Sequence, residues 1–368
     1  MNRLAWIDNL RVMVIILVVI LHTAVTYSGL GGWYYQENQE VDMFSTLFFA
    51  FYLTFTQAYF MSLLFMVSGY FTQRSLEKKG ITRFVSGRLK RLGIPLLIYI
   101  FLIHPVAVKL AYPEVDINWY LNGITRFDFI SWTGPLWFVE ALLIFSLIYV
   151  FIYKFISNSS LKIKFKFSIY NVVLLILTIT VIAFLARLFY PIGTNFYNLQ
   201  FGFFSAYIFM FATGIIAYKT NLFDQISLKA GIRWLILSLG LGIPAWFFII
   251  FFGGTLEGNM LIEGGMNWPA FFYALWESFF CVTFILALVG IFKYKVNISS
   301  KFQKLLSDNA FGVFVFHAPV LIGISMILKE IEIYPVLKFL LVFAIAVPAT
   351  FFVAWLVRKI GFLRKIFS

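Results

Sequence analysis

The segment Arg11-Val-Met-Val-Ile-Ile-Leu-Val-Val-Ile-Leu-His22 opens an apolar run that continues to Leu30 without another charged residue. A helix needs about 20 apolar residues to cross the hydrocarbon core of a bilayer, and this run has that length. Asp8 and Arg11 stand at its start and no clean small-residue cleavage site follows it, which distinguishes the run from a cleaved signal peptide. We therefore predict that this segment is a permanent transmembrane helix.

The same criterion finds ten apolar runs, joined by short connections without a Ser/Gly-rich linker or a soluble insert. We predict an all-α, polytopic integral membrane protein with ten transmembrane helices, which form a single domain covering residues 1–368. The predicted runs are Arg11–Leu30, Thr46–Phe71, Leu92–Ala111, Leu136–Ile156, Ile169–Leu188, Phe201–Tyr218, Trp234–Phe252, Trp268–Phe292, Ala310–Leu328 and Tyr334–Val357.

The composition supports this class. The chain has 368 residues, of which 62% are hydrophobic and 12% are charged, whereas about a quarter of the residues of a globular domain are charged. This composition excludes an ordinary soluble enzyme, a disordered protein and a nucleic-acid-binding protein. Cys281 is the single cysteine, so the chain cannot form an intrachain disulfide.

The distribution of basic residues predicts the orientation. If the first helix starts in the cytoplasm, 24 of the 29 Lys and Arg residues fall on cytoplasmic segments and five fall outside. Membrane proteins concentrate Lys and Arg in their cytoplasmic loops, and a wrong helix count would destroy this alternation. We predict that both termini are cytoplasmic, and this topology accounts for most of the net charge of +13.

His22 is an ionisable residue inside a predicted span, where such groups are costly and need a reason. Eleven residues after Arg11, it shares that residue's helix face and lies about 16 Å from it along the axis. One interpretation is a packing histidine and an arginine that reaches the surface. We favour the other, a functional histidine near the midplane.

Three more ionisable residues fall within spans: Glu140, Glu277 and His317. Either carboxylate could orient His22 or balance its charge, as carboxylates do for catalytic imidazoles, or could pair with an arginine for folding. His317 is equally open to a functional and a structural interpretation. His104 precedes a proline, which frees a backbone carbonyl that needs a partner, and we interpret His104 as structural.

The most basic segment carries Arg88 and Arg91. At i,i+3 spacing on a helix the two share a face and could clamp one phosphate group. The alternatives are a topology signal and a site for anionic lipid, and position alone leaves them open. No Walker or dinucleotide motif is present, which argues against an ATP-driven pump or an oxidoreductase, and no grouping predicts a metal site.

Four segments share their order and spacing with a known family. The first is Ile7–Arg11, whose arginine is followed after ten residues by His22. The second is the aromatic Ser-Gly segment Phe65–Phe71, and the third is the Arg-x-x-Arg-x-x-x-Pro segment Arg88–Pro95. The fourth is Phe311–Pro319, part of a late helix in which a His precedes a Pro. Together they resemble acyltransferase family 3, whose members are polytopic membrane acyltransferases, and the resemblance covers almost the whole chain.

The resemblance implies an enzyme of the plasma or inner membrane that acylates hydroxyls of exported or cell-surface carbohydrates. It implies acyl-CoA (acetyl-CoA or succinyl-CoA) as cosubstrate, a carbohydrate acceptor, no bound cofactor and no nucleic acid as partner. Arg88 and Arg91, with Arg11, would hold the donor phosphates. His22 would act as general base on the acceptor hydroxyl or form a transient acyl-histidine.

Glu140 departs from the family pattern. Many members carry a Trp followed five residues later by Glu, whereas Trp137 precedes Glu140 by three. We keep Glu140 beside His22 as a catalytic candidate, and we expect Ser68 to help close helix packing beside Gly69. The Gly134–Phe138 stretch resembles the branch of periplasmic-glucan succinyltransferases. The supporting site candidates are Asp8, Ser68, Glu277 and His317.

Two other classes remain as alternatives. A transporter or flippase for a lipid or glycan would use His22 and Glu140 as a proton relay. A non-catalytic subunit of a polysaccharide synthase would have no need of a buried imidazole, so the position of His22 disfavours it.

Overall fold

Residues 4–37, 41–156 and 166–367 are described by the structure, a computed structural model. Over these ranges ten helices are long and apolar enough to cross a membrane, which confirms the predicted number. With two shorter helices, α4 and α12, the elements are α1 Ala5–Ser28, α2 Met43–Lys79, α3 Ile81–Ala111, α4 Ile117–Thr125, α5 Trp137–Ile156, α6 Ile169–Ala186, α7 Phe204–Thr220, α8 Leu228–Phe252, α9 Trp268–Lys295, α10 Lys301–Ile327, α11 Pro335–Lys359 and α12 Gly361–Ile366.

The all-α class is also confirmed, because within those three ranges extended structure is limited to one isolated bridge between Phe196 and Leu199. The orientation of the termini stays a prediction. Three of the basic residues behind it, Arg3, Lys162 and Lys164, lie outside the described residues.

Several helices are longer than the apolar runs that predicted them. The extensions lie at the ends rich in Lys and Arg: α2 continues to Lys79, α3 begins at Ile81 and α10 begins at Lys301. Lys, Arg, Glu and Gln are good helix formers, so the helix continues after the hydropathy has fallen. Hydropathy therefore reports the part of a helix that suits the bilayer and underestimates the helix itself.

The chain divides into two compact units, counted over the described residues. The first unit comprises Met1–Leu10, Gln57–Phe84 and Phe145–Ile298. Within it α9 packs against α8 and α6, and α6 packs against α7. Gly69 of α2 and Gly214 of α7 lie where a Cβ atom would collide with the facing backbone carbonyls of Phe211 and Met66. Two glycines thus permit a close helix crossing, as expected for the Ser68-Gly69 segment.

The second unit comprises Arg11–Thr56, Val85–Ile144 and Ser299–Ser368. Within it α10 packs against α11 and against the last part of α3. The core of that contact contains Ala107 and Ala111 of α3 and Ile322 of α10. Small side chains on α3 let α10 come close, which brings the two helices that carry His104 and His317 together.

Helix α3 is not a regular α-helix. Two of its turns, Leu89–Gly93 and Tyr99–Ile103, are π-helical. Turns of this kind are rare and occur frequently at functional sites. The second one ends at Ile103, directly before His104-Pro105. Pro105 has no N–H to bond the carbonyl of Phe101, which instead accepts from the Tyr120 hydroxyl at 3.2 Å. The carbonyl freed by the proline is therefore satisfied by a side chain of the short helix α4.

Candidate active site

His22 and His317 face each other in the second unit. The Nδ1 atom of His22 on α1 lies 3.1 Å from the Nε2 atom of His317 on α10. The ring centroids are 5.0 Å apart. His317 is completely buried and His22 is partly buried. An imidazole pair of this kind joins two residues that the sequence singled out separately.

The hydrogen bonds fix where the protons lie in this pair. The Nδ1 atom of His317 is 2.8 Å from the carbonyl oxygen of Phe314, one turn earlier on α10. A carbonyl only accepts, so this nitrogen carries a proton, and in a neutral His317 the Nε2 atom then keeps its lone pair. His22 must then donate from Nδ1, which leaves the lone pair of a neutral His22 on Nε2. A neutral pair in this arrangement thus presents the unprotonated Nε2 atom of His22.

Trp33 covers the imidazole of His22. The loop that follows α1 returns over the helix end, and the indole stacks on His22 with ring centroids 3.9 Å apart and an interplanar angle of 24°. The indole is also nearly parallel to His317, at 6.0 Å and 15°. The ring shields the histidine pair from solvent on one face.

Glu37 holds this loop in place. Its backbone N–H donates to the carbonyl of Thr26 at 2.9 Å, and its carboxylate accepts from the ammonium of Lys338 at 2.6 Å. Lys338 is buried and also donates to the carbonyl of Lys329 at 3.1 Å. A buried ion pair is costly to break, so it fixes the loop that carries Trp33.

Tyr34 connects the third histidine to this group. Its hydroxyl lies 2.6 Å from Nδ1 of His104 and 3.1 Å from the hydroxyl of Tyr99. The Tyr34 ring packs edge-on against Trp33, with centroids 5.2 Å apart. Burial raises the pKa of Tyr34 above its ordinary value, which keeps the hydroxyl protonated. All three histidines of the chain therefore belong to one contiguous aromatic cluster.

Gly134 closes the cluster beside Tyr34. It has a positive φ of 48°, and a Cβ atom there would collide with the hydroxyls of Tyr34 and Tyr99. Glycine is the residue that adopts this conformation without strain and leaves room for both hydroxyls. The Gly-Pro-Leu-Trp stretch thus has a structural reason that its sequence alone did not show.

Glu140 lies in the first turn of α5, in the same unit. Its carboxylate is hydrogen-bonded to the side chain of Thr133. Its Oε2 atom is buried and has no partner among the residues that the structure describes. Among the described residues, the side chain that contacts the Nδ1 atom of His22 is His317. An imidazole therefore lies where we had considered a carboxylate that would orient His22.

The three arginines considered for the donor also belong to the second unit. Arg91 is exposed, and Arg11 and Arg88 are partly buried. The turn between Arg88 and Arg91 is π-helical, so the two diverge more than an α-helical i,i+3 pair. They are still close enough for the charge of Arg91 to act on Arg88.

Glu277 pairs with an arginine inside the first unit. The completely buried guanidinium of Arg187 donates to the carboxylate of Glu277 and, from Nε, to the carbonyl of Gly202 at 3.0 Å. The rings of Phe203 and Tyr273 lie 5.4 and 5.8 Å from the guanidinium carbon. We considered that Glu277 either orients His22 or pairs with an arginine for folding. This contact matches the second interpretation. Asp8 and Ser68 also belong to the first unit, Asp8 in the first turn of α1 and Ser68 beside Gly69.

Ten helices that are long and apolar enough to cross a bilayer, counted over the described residues, define a multi-pass membrane protein. Residues 4–359 match the model of the acyltransferase domain of acyltransferase family 3. The chain belongs to this family.

Its curated relatives include glucans biosynthesis protein C of Escherichia coli. The chain is 26% identical over 163 residues to that protein of strain SMS-3-5 / SECEC, 24% to that of strain K12 and 25% to that of O1:K1 / APEC. The match covers 43% of this chain and 41% of the relatives, so less than half of either is compared. No solved structure matches the chain.

Proposed function

We propose that the protein transfers an acetyl or succinyl group from cytosolic acyl-CoA to a hydroxyl of an exported or cell-surface glycan. The observation that carries this proposal is the His317–His22 hydrogen bond, which leaves the Nε2 lone pair of His22 available. An alcohol is a poor nucleophile at neutral pH, so transfer to a sugar hydroxyl needs a base at that oxygen. His22 is this base, and the family match supports the reaction class.

The donor is held by its phosphates. Arg88 and Arg91, with Arg11, provide guanidinium groups, which bind phosphate through paired N–H donors. Arg11 lies about 16 Å below His22 along α1, a span that the extended pantetheine arm of coenzyme A bridges. The thioester therefore reaches His22 while the phosphates stay at the cytoplasmic surface of the cell membrane.

The acceptor is a carbohydrate that approaches from the opposite side. The name of the matched relatives, glucans biosynthesis protein C, supports a glucan as the class of acceptor. The protein then moves an acyl group across the bilayer and leaves the sugar on its own side. Glu140 lies in the same unit as His22 and serves as a second acid–base candidate near the start of α5.

Release of free CoA tests the proposal. The full chain, purified and placed in lipid nanodiscs, is incubated with acetyl-CoA or succinyl-CoA, with and without glucan oligosaccharides. We expect CoA release that depends on the acceptor and is lost in His22→Ala. Ile20→Ala, two residues away on α1, is the matched control and should keep its activity.

Two outcomes would refute the proposal. Full activity of a well-inserted His22→Ala variant would remove His22 from the reaction. Flux of unmodified glycan into vesicles without any acyl donor, and without CoA release, would support the transporter or flippase with a His22/Glu140 proton relay instead.

A further inference from the structure

The indole N–H of Trp33 is a buried donor that the proposed reaction has not yet used. Its Nε1 atom is inaccessible to solvent and, over residues 4–37, 41–156 and 166–367, has no hydrogen-bond partner. An indole nitrogen can only donate, and a buried donor left unpaired destabilises a protein. A ring that served only to cover His22 would do so equally well without this group.

The position of Trp33 brings its donor beside the base. The rings of Trp33 and His22 are stacked 3.9 Å apart and 24° from parallel. The N–H bond lies in the indole plane, so it runs nearly parallel to the imidazole plane of His22. The ion pair between Glu37 and Lys338 fixes the loop, so the donor is set in place before any substrate arrives.

From this arrangement we infer that Trp33 donates its indole N–H to the acyl carbonyl oxygen of the bound donor, where negative charge develops during transfer. The inference rests on the proposed function and adds one residue to it. A fixed donor at this oxygen is worth more in a water-excluded site than in solvent, because it needs no reorganisation when the charge appears.

The reaction then balances as follows. The acceptor hydroxyl oxygen bonds to the thioester carbon while its proton passes to Nε2 of His22, and the carbonyl π electrons move onto the oxygen that Trp33 contacts. When the carbonyl re-forms, the carbon–sulfur bond breaks and the sulfur of CoA takes the proton from His22. The products are the acyl ester of the sugar and free CoA, and His22 is neutral again.

The test replaces Trp33 by phenylalanine, which keeps an aromatic ring over His22 and removes the N–H. We expect kcat for acceptor-dependent CoA release to fall about 100-fold, the usual effect of removing one such donor, with the KM for acyl-CoA unchanged. Trp355→Phe is the matched control, because that indole contacts Phe352 and Lys359 on α11. It should keep wild-type activity.

A second measurement does not depend on turnover. A CoA analogue in which a methylene group replaces the thioester sulfur keeps the carbonyl and cannot transfer its acyl group. Infrared spectroscopy of the 13C-labelled carbonyl should show a lower stretching frequency when the analogue is bound to the wild type than when it is bound to Trp33→Phe.

The outcomes separate the two proposals. If the wild type releases CoA but Trp33→Phe matches it in kcat and in carbonyl frequency, the role of Trp33 is refuted and the proposed function stands. If the wild type neither binds the analogue nor releases CoA, the proposed function fails and the role of Trp33 fails with it.

Discussion

The Nε2 atom of His317 lies 3.1 Å from the Nδ1 atom of His22, and an uncharged His317 that donates from Nδ1 to Phe314 accepts from His22 at this contact. Soluble enzymes commonly orient a catalytic imidazole with a carboxylate. Inside a bilayer an extra buried charge is expensive, and a neutral imidazole fixes the same tautomer without introducing one. A neutral pair therefore orients the proposed base at a low electrostatic cost.

Under the proposed function, His317 is a positioning residue, and its removal should lower the activity that depends on His22. We expect His317→Ala to lower kcat for CoA release by about 100-fold or more, because His22 loses the acceptor that fixes its tautomer. His317→Gln, which can still accept from Nδ1 of His22, should recover at least about tenfold of that loss. The KM for acyl-CoA should be the same in both variants.

A merely structural role of His317 would give a different pattern. Both variants would then lose thermal stability and folded protein in the membrane, and the remaining folded fraction would keep its kcat. The pH profile of kcat would also be unchanged, whereas a positioning role shifts its acidic limb in both variants.

A second prediction concerns the two arginines of α3, Arg88 and Arg91. Arg88→Ala and Arg91→Ala should each raise the KM for acyl-CoA about tenfold, because each removes charge-assisted hydrogen bonds to phosphate, while kcat changes little. Lys90→Ala, an exposed cation between them, is the matched control. If only the amount of inserted protein falls, and equally for all three, these residues act as a topology signal.

The helix count could be predicted from the sequence, and His22 could be selected as a candidate, whereas the arrangement around His22 could not be predicted. The bilayer imposes a minimum apolar length on each helix, so ten runs give ten helices. An ionisable residue within such a run stands out for the same reason. The contact between His22 and His317 joins positions 295 residues apart and depends on the rotation of two helices, which hydropathy does not report.

The position of Trp33 over His22 and the π-helical turns could not be predicted, for related reasons. An aromatic residue after a membrane helix is typical of the interface, so Trp33 gave no distinct signal. Its place over His22 depends on a loop held by Glu37 and the distant Lys338. The turn around Leu89–Gly93 has no sequence mark apart from the nearby glycine and proline, and it changes the angle between Arg88 and Arg91.

The ion pair between Arg187 and Glu277 makes a third prediction, about stability. Glu277→Gln should lower the free energy of unfolding by about 3 kcal/mol, because it leaves a buried guanidinium without its counter-charge. The double variant Arg187→Met/Glu277→Gln should recover much of that loss, since both charges are then gone. Thermal unfolding of the purified protein in detergent measures both effects.

If Glu277 takes part in the reaction, the double variant should regain stability without regaining CoA release. If its role is the ion pair alone, activity should return together with stability. A single variant that unfolds no more easily than the wild type would contradict the buried pair.

A last prediction concerns Gly134, which permits the approach of Tyr34 and Tyr99. Gly134→Ala must adopt a strained positive φ, which costs about 1–3 kcal/mol, and its methyl group must displace the hydroxyl of Tyr34. Because Tyr34 follows Trp33 in the loop, we expect this variant to lose activity as well as stability. Gly323→Ala is the matched control: that glycine lies in α10 with open space around it, where alanine should stabilise the helix by about 0.5–1 kcal/mol. Equal unfolding temperatures and equal CoA release for the two variants would show that Gly134 does not hold the aromatic cluster in place.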